Sequence, residues 1–180
     1  MKRYNIIGGV NGVGKSSFTG VLKGIRNDLG MFIDVDRDTE KSGDEMDVAK
    51  IRECLQRGVS FTQETTLSGF KTEQTAKQAR EAGYCVHLYY IALDTAQESL
   101  ERIANRVKRG GHDIARDDVV RRFDGRWEAL KKILPYCDEA EFYDNDNGFV
   151  KVAEYRNGEL LTVGDHCPAW LAQLQSYLKD

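Results

Sequence analysis

The chain has 180 residues with a formal net charge of -3 at pH 7, and 41% of these residues are hydrophobic. This hydrophobic content is sufficient for a buried core and excludes a wholly disordered chain, while the weak negative charge argues against a protein that mainly coats nucleic acid. No apolar run approaches the roughly 20 residues that a helix needs to span a bilayer, so we expect no membrane partner.

Apolar segments alternate with amphipathic ones along most of the chain. Short runs rich in Val, Ile, Tyr and Phe predict strands, and apolar residues at spacings of three and four predict helices. In chain order we expect a strand at 4–8, a helix at 15–28, a strand at 31–35, a helix at 44–57, a strand at 59–65, a helix at 69–82, a strand at 84–93, helices at 94–109 and 117–134, and a strand at 141–143.

The C-terminal segment has a different pattern. Two apolar stretches at 149–155 and 159–163 flank Asn157-Gly158, which is typical of a two-residue hairpin turn, and Pro168 opens a last amphipathic helix. The alternation of strands and helices predicts an α/β fold with a mostly parallel sheet, helices on both faces and a C-terminal antiparallel hairpin. We expect a single domain over residues 1–180, with a helical lid at about 102–122 and the hairpin and last helix at about 149–179.

Residues 9–16 match the phosphate-loop pattern G-x-x-x-x-G-K-[ST], between a predicted strand and a predicted helix. Glycines let the backbone curl so that several N–H groups face one anion, and the helix N-terminus adds its positive dipole end. Lys15 is expected to reach the β- and γ-phosphates and the Ser16 hydroxyl to bind Mg²⁺, so the motif predicts binding of ATP or GTP with magnesium. The alternative is a glycine-rich turn with an exposed lysine. The expected nucleotide-binding residues are Gly9, Asn11, Gly12, Val13, Gly14, Lys15, Ser16 and Ser17.

Acidic residues follow the second and third predicted strands, at the edge where ligands bind in such sheets. Asp34 and Asp36 are two residues apart and share one face if the strand continues. We expect Asp36 to be the catalytic base and Asp34 to support the metal, since phosphoryl transfer needs both roles; turn or capping aspartates are the alternative. Glu64 would lie near the γ-phosphate if its strand neighbours the phosphate-loop strand, an adjacency that the sequence leaves open.

The strand at 84–93 ends in Asp94, as a Walker B segment does. Gln97 lies three residues further on, so we favour a capping box at the start of the next helix.

A basic segment covers residues 102–126, within an otherwise acidic protein. Arg102, Arg106 and Arg109 fall on one helical face, and Gly110-Gly111 provides a hinge before the next helix. Such arginines can close over a nucleotide and stabilise the charge on the transferred phosphoryl group. A solvated helix face is the alternative, and a nucleic-acid patch ranks lower because the segment has few aromatic residues. The arginines expected to be catalytic are Arg106 and Arg109, followed by Arg121 and Arg122.

Together these segments resemble the zeta-toxin-like P-loop kinases, especially their compact bacterial members. The resemblance covers about residues 4–147 and is carried by Gly9 to Ser16, Asp34-Val35-Asp36, Glu64-Thr65-Thr66-Leu67-Ser68-Gly69, Ala82-Gly83-Tyr84, Arg106-Val107 with Gly110-Gly111-His112, Arg121-Arg122-Phe123 and Tyr143-Asp144-Asn145.

The resemblance implies a three-layer P-loop NTPase fold and ATP- or GTP-dependent phosphorylation of a hydroxyl on a small molecule. It implies Lys15 for the phosphates, Ser16 for magnesium, Asp36 as base, Glu64 at the active site and lid arginines for charge. The toxins of this family phosphorylate a UDP-N-acetyl amino sugar, so a nucleotide sugar is the implied acceptor and an antitoxin-like protein is the implied partner. The chain is shorter than the long toxins and lacks a match to their sugar-binding segments.

Two other functions fit parts of the pattern. The segment 32–36 also resembles the F-x-D-x-D segment of shikimate kinases, although no convincing glycine-rich acceptor site accompanies it. A nucleotide-binding regulatory module without an acceptor is a different class, and the N-K-x-D motif that would favour a GTPase switch is missing from the sequence.

The four cysteines are scattered and form no C-x-x-C pair, so we expect reduced thiols and a cytoplasmic protein. The apolar part of residues 1–8 is too short for a signal peptide and runs directly into the glycine-rich motif.

Overall fold

A computed structural model of the protein describes residues 1–34 and 40–179, with side chains described outside 40–45. The predicted elements are present except for one helix, which is divided in two, and most boundaries are shifted by a few residues. The elements are β1 Arg3–Gly8, α1 Lys15–Ile25, β2 Met31–Asp34, α2 Glu40–Arg57, β3 Phe61–Thr65, α3 Lys71–Glu81, β4 Cys85–Ala92, α4 Ala96–Lys108, α5 Arg116–Asp124, α6 Arg126–Ile133 with a 3₁₀ turn at Leu134–Tyr136, β5 Glu139–Asp144, β6 Val150–Arg156, β7 Glu159–Thr162 and α7 Ala169–Lys179.

The described strands form one seven-stranded sheet in the order β2-β3-β1-β4-β5-β6-β7. Neighbouring strands from β2 to β5 are parallel, and β6 and β7 continue the sheet as an antiparallel hairpin. The hairpin turn has φ of 54° at Asn157 and 85° at Gly158, as its sequence predicts. These features confirm the predicted α/β P-loop fold.

Two hydrophobic clusters cover opposite faces of the sheet, because successive side chains of a strand point to opposite sides. Tyr89 and Ile91 of β4 belong to the cluster under α1, whereas Leu88 and Tyr90 belong to the cluster under α2, α3, α6 and α7. Full burial of each large apolar side chain stabilises the fold by about 1.5 to 3 kcal/mol. Burial on both faces explains why β4 is apolar along nearly its whole length.

The single helix predicted at 117–134 is wrong, because the chain forms α5 and α6 with Gly125 between them. Beyond this break the Arg126 guanidinium donates to the Phe123 carbonyl at 2.6 Å and stacks 3.7 Å from the Phe123 ring. Val119, Phe123, Trp127 and Leu130 are all buried, so the apolar spacing continues across the break and conceals it in the sequence.

The predicted capping box at Asp94 and Gln97 is also wrong, by one residue. Thr95 caps α4 by accepting the Glu98 backbone N–H at 3.2 Å, and Glu98 accepts the Thr95 backbone N–H at 2.8 Å. Asp94 instead accepts the backbone N–H of Trp170 at 2.8 Å, so it holds the start of α7. Asp94 and Thr95 both fit the capping pattern in the sequence, and the tertiary contact with Trp170 occupies Asp94.

Candidate active site

The phosphate loop connects the end of β1 to the first residue of α1, as the motif requires. Gly12 has a φ of 83°, and a Cβ there would lie 2.5 Å from the Ser99 carbonyl oxygen of α4. Gly14 has a φ of 98° and directly precedes Lys15. Only glycine combines this left-handed backbone with such close approach, so the loop keeps the curl that turns its N–H groups toward one point.

The Lys15 side chain is buried along the loop and carries its ammonium over the curled backbone. Its Nζ donates to the Gly9 carbonyl at 2.9 Å and to the Val10 carbonyl at 3.3 Å. These contacts hold the cation over the same loop whose amides would face the phosphates. The loop therefore combines helix dipole, amides and a positive charge around one anion position.

Glu64 lies beside the loop because β3 is inserted between β1 and β2. Its backbone is in register with Ile7 on one side and Asp34 on the other. Its carboxylate accepts the Ser16 hydroxyl at 2.6 Å and the Thr19 hydroxyl at 3.0 Å. The adjacency that the sequence left open is therefore present.

The oxygen donors of this corner fit Mg²⁺, which prefers hydroxyl, carboxylate, phosphate and water oxygens. Ser16 and Glu64 are in direct contact, and Asp34 lies in register with Glu64 on the next strand. Among the residues described, no cluster of three or more His, Cys, Asp or Glu side chains could hold a metal alone.

A cavity of about 510 Å³ opens above the loop. It brings together the loop, Asp34, Glu64 and residues from the α4–α5 segment and from the end of β5. Asp36, the predicted base, lies outside the described residues. Gly9 and Val13 support the loop without lining the cavity, and the lining residues are Asn11, Gly12, Gly14, Lys15, Ser16, Ser17, Asp34, Glu64, Arg102, Ile103, Arg106, Gly111, His112, Ile114 and Asn145.

The predicted lid arginines take different positions. Arg106 lines the cavity, and its Nη2 donates to the His112 carbonyl at 2.9 Å. Arg109 lines a shallower neighbouring cleft, and the side chain of Arg121 is 72% exposed in an ion pair with Asp118. Neither Arg109 nor Arg121 lines the cavity itself, and their contact with a nucleotide stays a prediction.

Three contacts around the loop were missed in the sequence. Arg122, next to Arg121, donates to the Asn11 side-chain oxygen at 2.8 Å. Asn145 donates to the Val13 carbonyl at 2.7 Å, and Arg102 donates to the Asn145 carbonyl at 2.6 Å. The position of Asn145 just after β5 was a usable signal, since ligands bind beyond the carboxyl ends of parallel strands. Nothing in the sequence distinguishes Arg122 from Arg121.

Comparison with known proteins shows which family the sequence matches. Residues 36–152 match the family model described as zeta toxin. An uncharacterized protein of Haemophilus influenzae is 43% identical over 70 residues, which cover 39% of this chain and 50% of that relative, so the match spans half of the relative's length.

Two solved structures share the fold at low identity. A structure from the study of the PezAT chromosomal toxin–antitoxin system of Streptococcus pneumoniae has a TM-score of 0.63 and 16% identity, over 99% of this chain and 85% of that one. The complex AvrRxo1-ORF1:-ORF2 with ATP has a TM-score of 0.60 and 15% identity, over 99% of this chain and 76% of that one. Across the described ranges 1–34 and 40–179, no helix is long and apolar enough to cross a membrane.

Proposed function

The chain belongs to the zeta toxin family, and we propose that it transfers the terminal phosphoryl group of ATP or GTP to a hydroxyl of a small molecule. The observation that carries the proposal is the contact of Glu64 with Ser16, 2.6 Å long, inside the cavity that Lys15 also lines. This contact joins a phosphate loop to a carboxylate at the position where the terminal phosphate and its metal would lie.

Each group has one proposed role. The loop amides and Lys15 bind the phosphates, and Ser16 with Asp34 would hold the metal. Mg²⁺, when bound, would neutralise charge on the phosphate oxygens. Arg106 supplies positive charge from the lid side of the cavity, where it stabilises the transferring group.

Two carboxylates share the acceptor side of the site in this proposal. Asp36 takes the proton of the acceptor hydroxyl, since it follows Asp34 in the motif of the family. Glu64 orients Ser16 and Thr19 through both of its oxygens, at 2.6 and 3.0 Å, and it contacts the acceptor from the next strand. Phosphoryl transfer depends mainly on positioning and electrostatics, which this arrangement of fixed groups supplies.

We propose a nucleotide sugar, such as a UDP-N-acetyl amino sugar, as the acceptor, and an antitoxin-like protein as a partner. Family membership supports the acceptor class. The structural likeness to a protein of a toxin–antitoxin system motivates the partner.

The test is ADP or GDP release by purified protein with a panel of nucleotide sugars and hydroxylated metabolites, with mass spectrometry of the products. We expect one acceptor to gain a single phosphoryl group, and Lys15→Ala to abolish the gain. A shikimate-type metabolite as sole acceptor would contradict the nucleotide-sugar assignment. Nucleotide hydrolysis that needs no acceptor and is stimulated by a protein partner would contradict the kinase proposal.

A further inference from the structure

Asn145 connects three parts of the site. Its side-chain amide donates to the Val13 carbonyl of the phosphate loop at 2.7 Å. Its own carbonyl accepts Arg102 of α4 at 2.6 Å, and its backbone N–H donates to the Ala92 carbonyl at the end of β4 at 3.2 Å. One residue is therefore bonded to the loop, to the helix that leads into the lid and to the sheet.

The Asn145 side chain lies close against the phosphate loop. A Cβ on Gly14 would lie 2.6 Å from the Asn145 amide nitrogen. Phe149, four residues further along, packs edge-on against Phe18 of α1 with ring centroids 5.0 Å apart. A shift of the segment after β5 would therefore move the loop and the start of α1 with it.

The residue before Asn145 is held by the C-terminal segment. Asp144 is 3% exposed, and its Oδ1 accepts the indole N–H of Trp170 at 2.8 Å. Its Oδ2 lies 2.9 Å from Nε2 of His166. A carboxylate this deeply buried is costly without partners, so these two contacts fix its position.

The same part of α7 is also bonded to the end of β4, where the Trp170 backbone N–H meets Asp94. Trp170 is fully buried, and its ring packs near Trp127 with centroids 6.1 Å apart. The start of α7 thus holds the carboxyl ends of β4 and β5 together, at the sheet edge where the cavity opens.

We propose that Asn145 is a positioning residue through which α7 holds the phosphate loop in its nucleotide-binding form. The route runs from Trp170 to the buried Asp144, to the adjacent Asn145, and from there to the Val13 carbonyl. This gives the C-terminal helix a function in nucleotide binding, although no residue of that helix lines the cavity. The expected change in nucleotide affinity rests on the proposed function, whereas the expected change in the phosphate loop itself does not.

Amide hydrogen exchange of the nucleotide-free protein tests the route without any ligand. We expect Asn145→Ala to speed the amide exchange of residues 10–14 about tenfold, because the variant loses one hydrogen bond that holds the loop. Asn147→Ala is the matched control, since Asn147 is exposed in the same segment and donates only to Asp146 among the bonds identified. Unchanged exchange in Asn145→Ala would overturn the proposal.

The role of α7 is tested with Trp170→Phe, which keeps an aromatic ring and removes the N–H that Asp144 accepts. Trp127→Phe is the control for loss of indole packing in the same core. We expect faster exchange of the loop in the first variant, no such local effect in the second, and no further increase when Trp170→Phe is added to Asn145→Ala. Equal effects of both tryptophan variants, or additive effects in the double variant, would overturn the route through Asn145.

Calorimetry with Mg·ATP then adds the functional readout. We expect about tenfold weaker binding by Asn145→Ala and unchanged binding by Asn147→Ala, at a temperature where all variants are folded. Equal affinity of the Asn145→Ala and wild-type proteins would contradict the inference. If the wild-type protein binds no nucleotide, the proposed function fails. The exchange experiment still tests whether Asn145 holds the phosphate loop in place.

Discussion

The position of the Glu64 carboxylate is set by the strands on either side of it. β3 lies between β1 and β2, so the carboxylate reaches Ser16 and Thr19 on the helix that follows β1. The residue therefore combines a local feature, the end of a strand, with a nonlocal one, the strand order.

Replacing Glu64 with Gln tests this residue. The amide keeps the shape and one acceptor oxygen but loses the negative charge, so we expect kcat to fall by about a hundredfold or more with little loss of stability. Glu53→Gln is the control, because Glu53 forms an exposed ion pair with Arg57 on α2. Steady-state kinetics and thermal melting check both variants. Unchanged turnover in Glu64→Gln would contradict the role of its charge.

Arg106 and Arg121 are two predicted lid arginines whose positions in the structure differ. Arg106 lines the cavity, whereas Arg121 is exposed and paired with Asp118. We expect Arg106→Ala to lower kcat by at least about a hundredfold and Arg121→Ala to leave it within about twofold, since of these two side chains only Arg106 lines the cavity. Turnover rates of both variants give the answer. A larger loss for Arg121→Ala would show that the lid closes with α5 rather than α4 over the nucleotide.

Helix α1 shows how far local patterns predict an element. The phosphate-loop motif sets its first residue, and the buried Phe18 and Leu22 mark its inner face. The exposed face includes Gly20, whose added Cβ would meet no atom within 4 Å. A glycine inside a helix costs about 0.5 to 1 kcal/mol relative to alanine.

Gly20→Ala should therefore stabilise the protein by about 0.5 to 1 kcal/mol and raise its melting temperature by about 2 °C. Nucleotide affinity should stay the same, since Gly20 lies outside the cavity lining. Denaturant unfolding and calorimetry check the two expectations. Lower stability in this variant would mean that the exposed face of α1 has a packing requirement of its own.

Sequence analysis predicted two features of the helices wrongly. Gly125 separates α5 from α6 although the apolar spacing continues, and Thr95 caps α4 because Asp94 is bonded to Trp170. The phosphate loop, the strand at its start and the hairpin turn were predictable because each depends on residues close in sequence. Strand order, Asn145 and the choice of Arg122 over Arg121 depend on distant parts of the chain, which periodicity does not encode.

At the scale of the whole molecule, the half-buried carboxylate of Glu141 lies where the parallel strands meet the antiparallel hairpin. Glu141 of β5 accepts the Tyr143 hydroxyl at 2.6 Å and lies 3.1 Å from His87 of β4 and 3.4 Å from Lys151 of β6. Burial by itself raises the pKa of this carboxyl, but the close approach of the His87 ring, the hydrogen bond from Tyr143 and the nearby Lys151 charge lower the pKa to about 2.

This lowered pKa predicts how stability depends on pH. The ionised carboxylate stabilises the folded state above its ordinary pKa of 4.5, and the contribution is lost as the pH falls through about 2. We expect Glu141→Gln to be less stable at neutral pH, on the order of 2 kcal/mol, and to lose less stability between pH 4.5 and 2. The exposed Glu128→Gln is the control. Parallel pH curves for Glu141→Gln and wild type would contradict this account.

Nucleotide binding by the phosphate loop is the claim on which the whole account depends. Calorimetric titration of the folded protein with Mg·ATP and Mg·GTP tests it most directly. The account predicts saturable binding of one nucleotide per chain, and at least about tenfold weaker binding by Lys15→Ala with an unchanged melting temperature. Absence of binding heat and of competition between nucleotides, in wild-type protein that melts cooperatively, would contradict it.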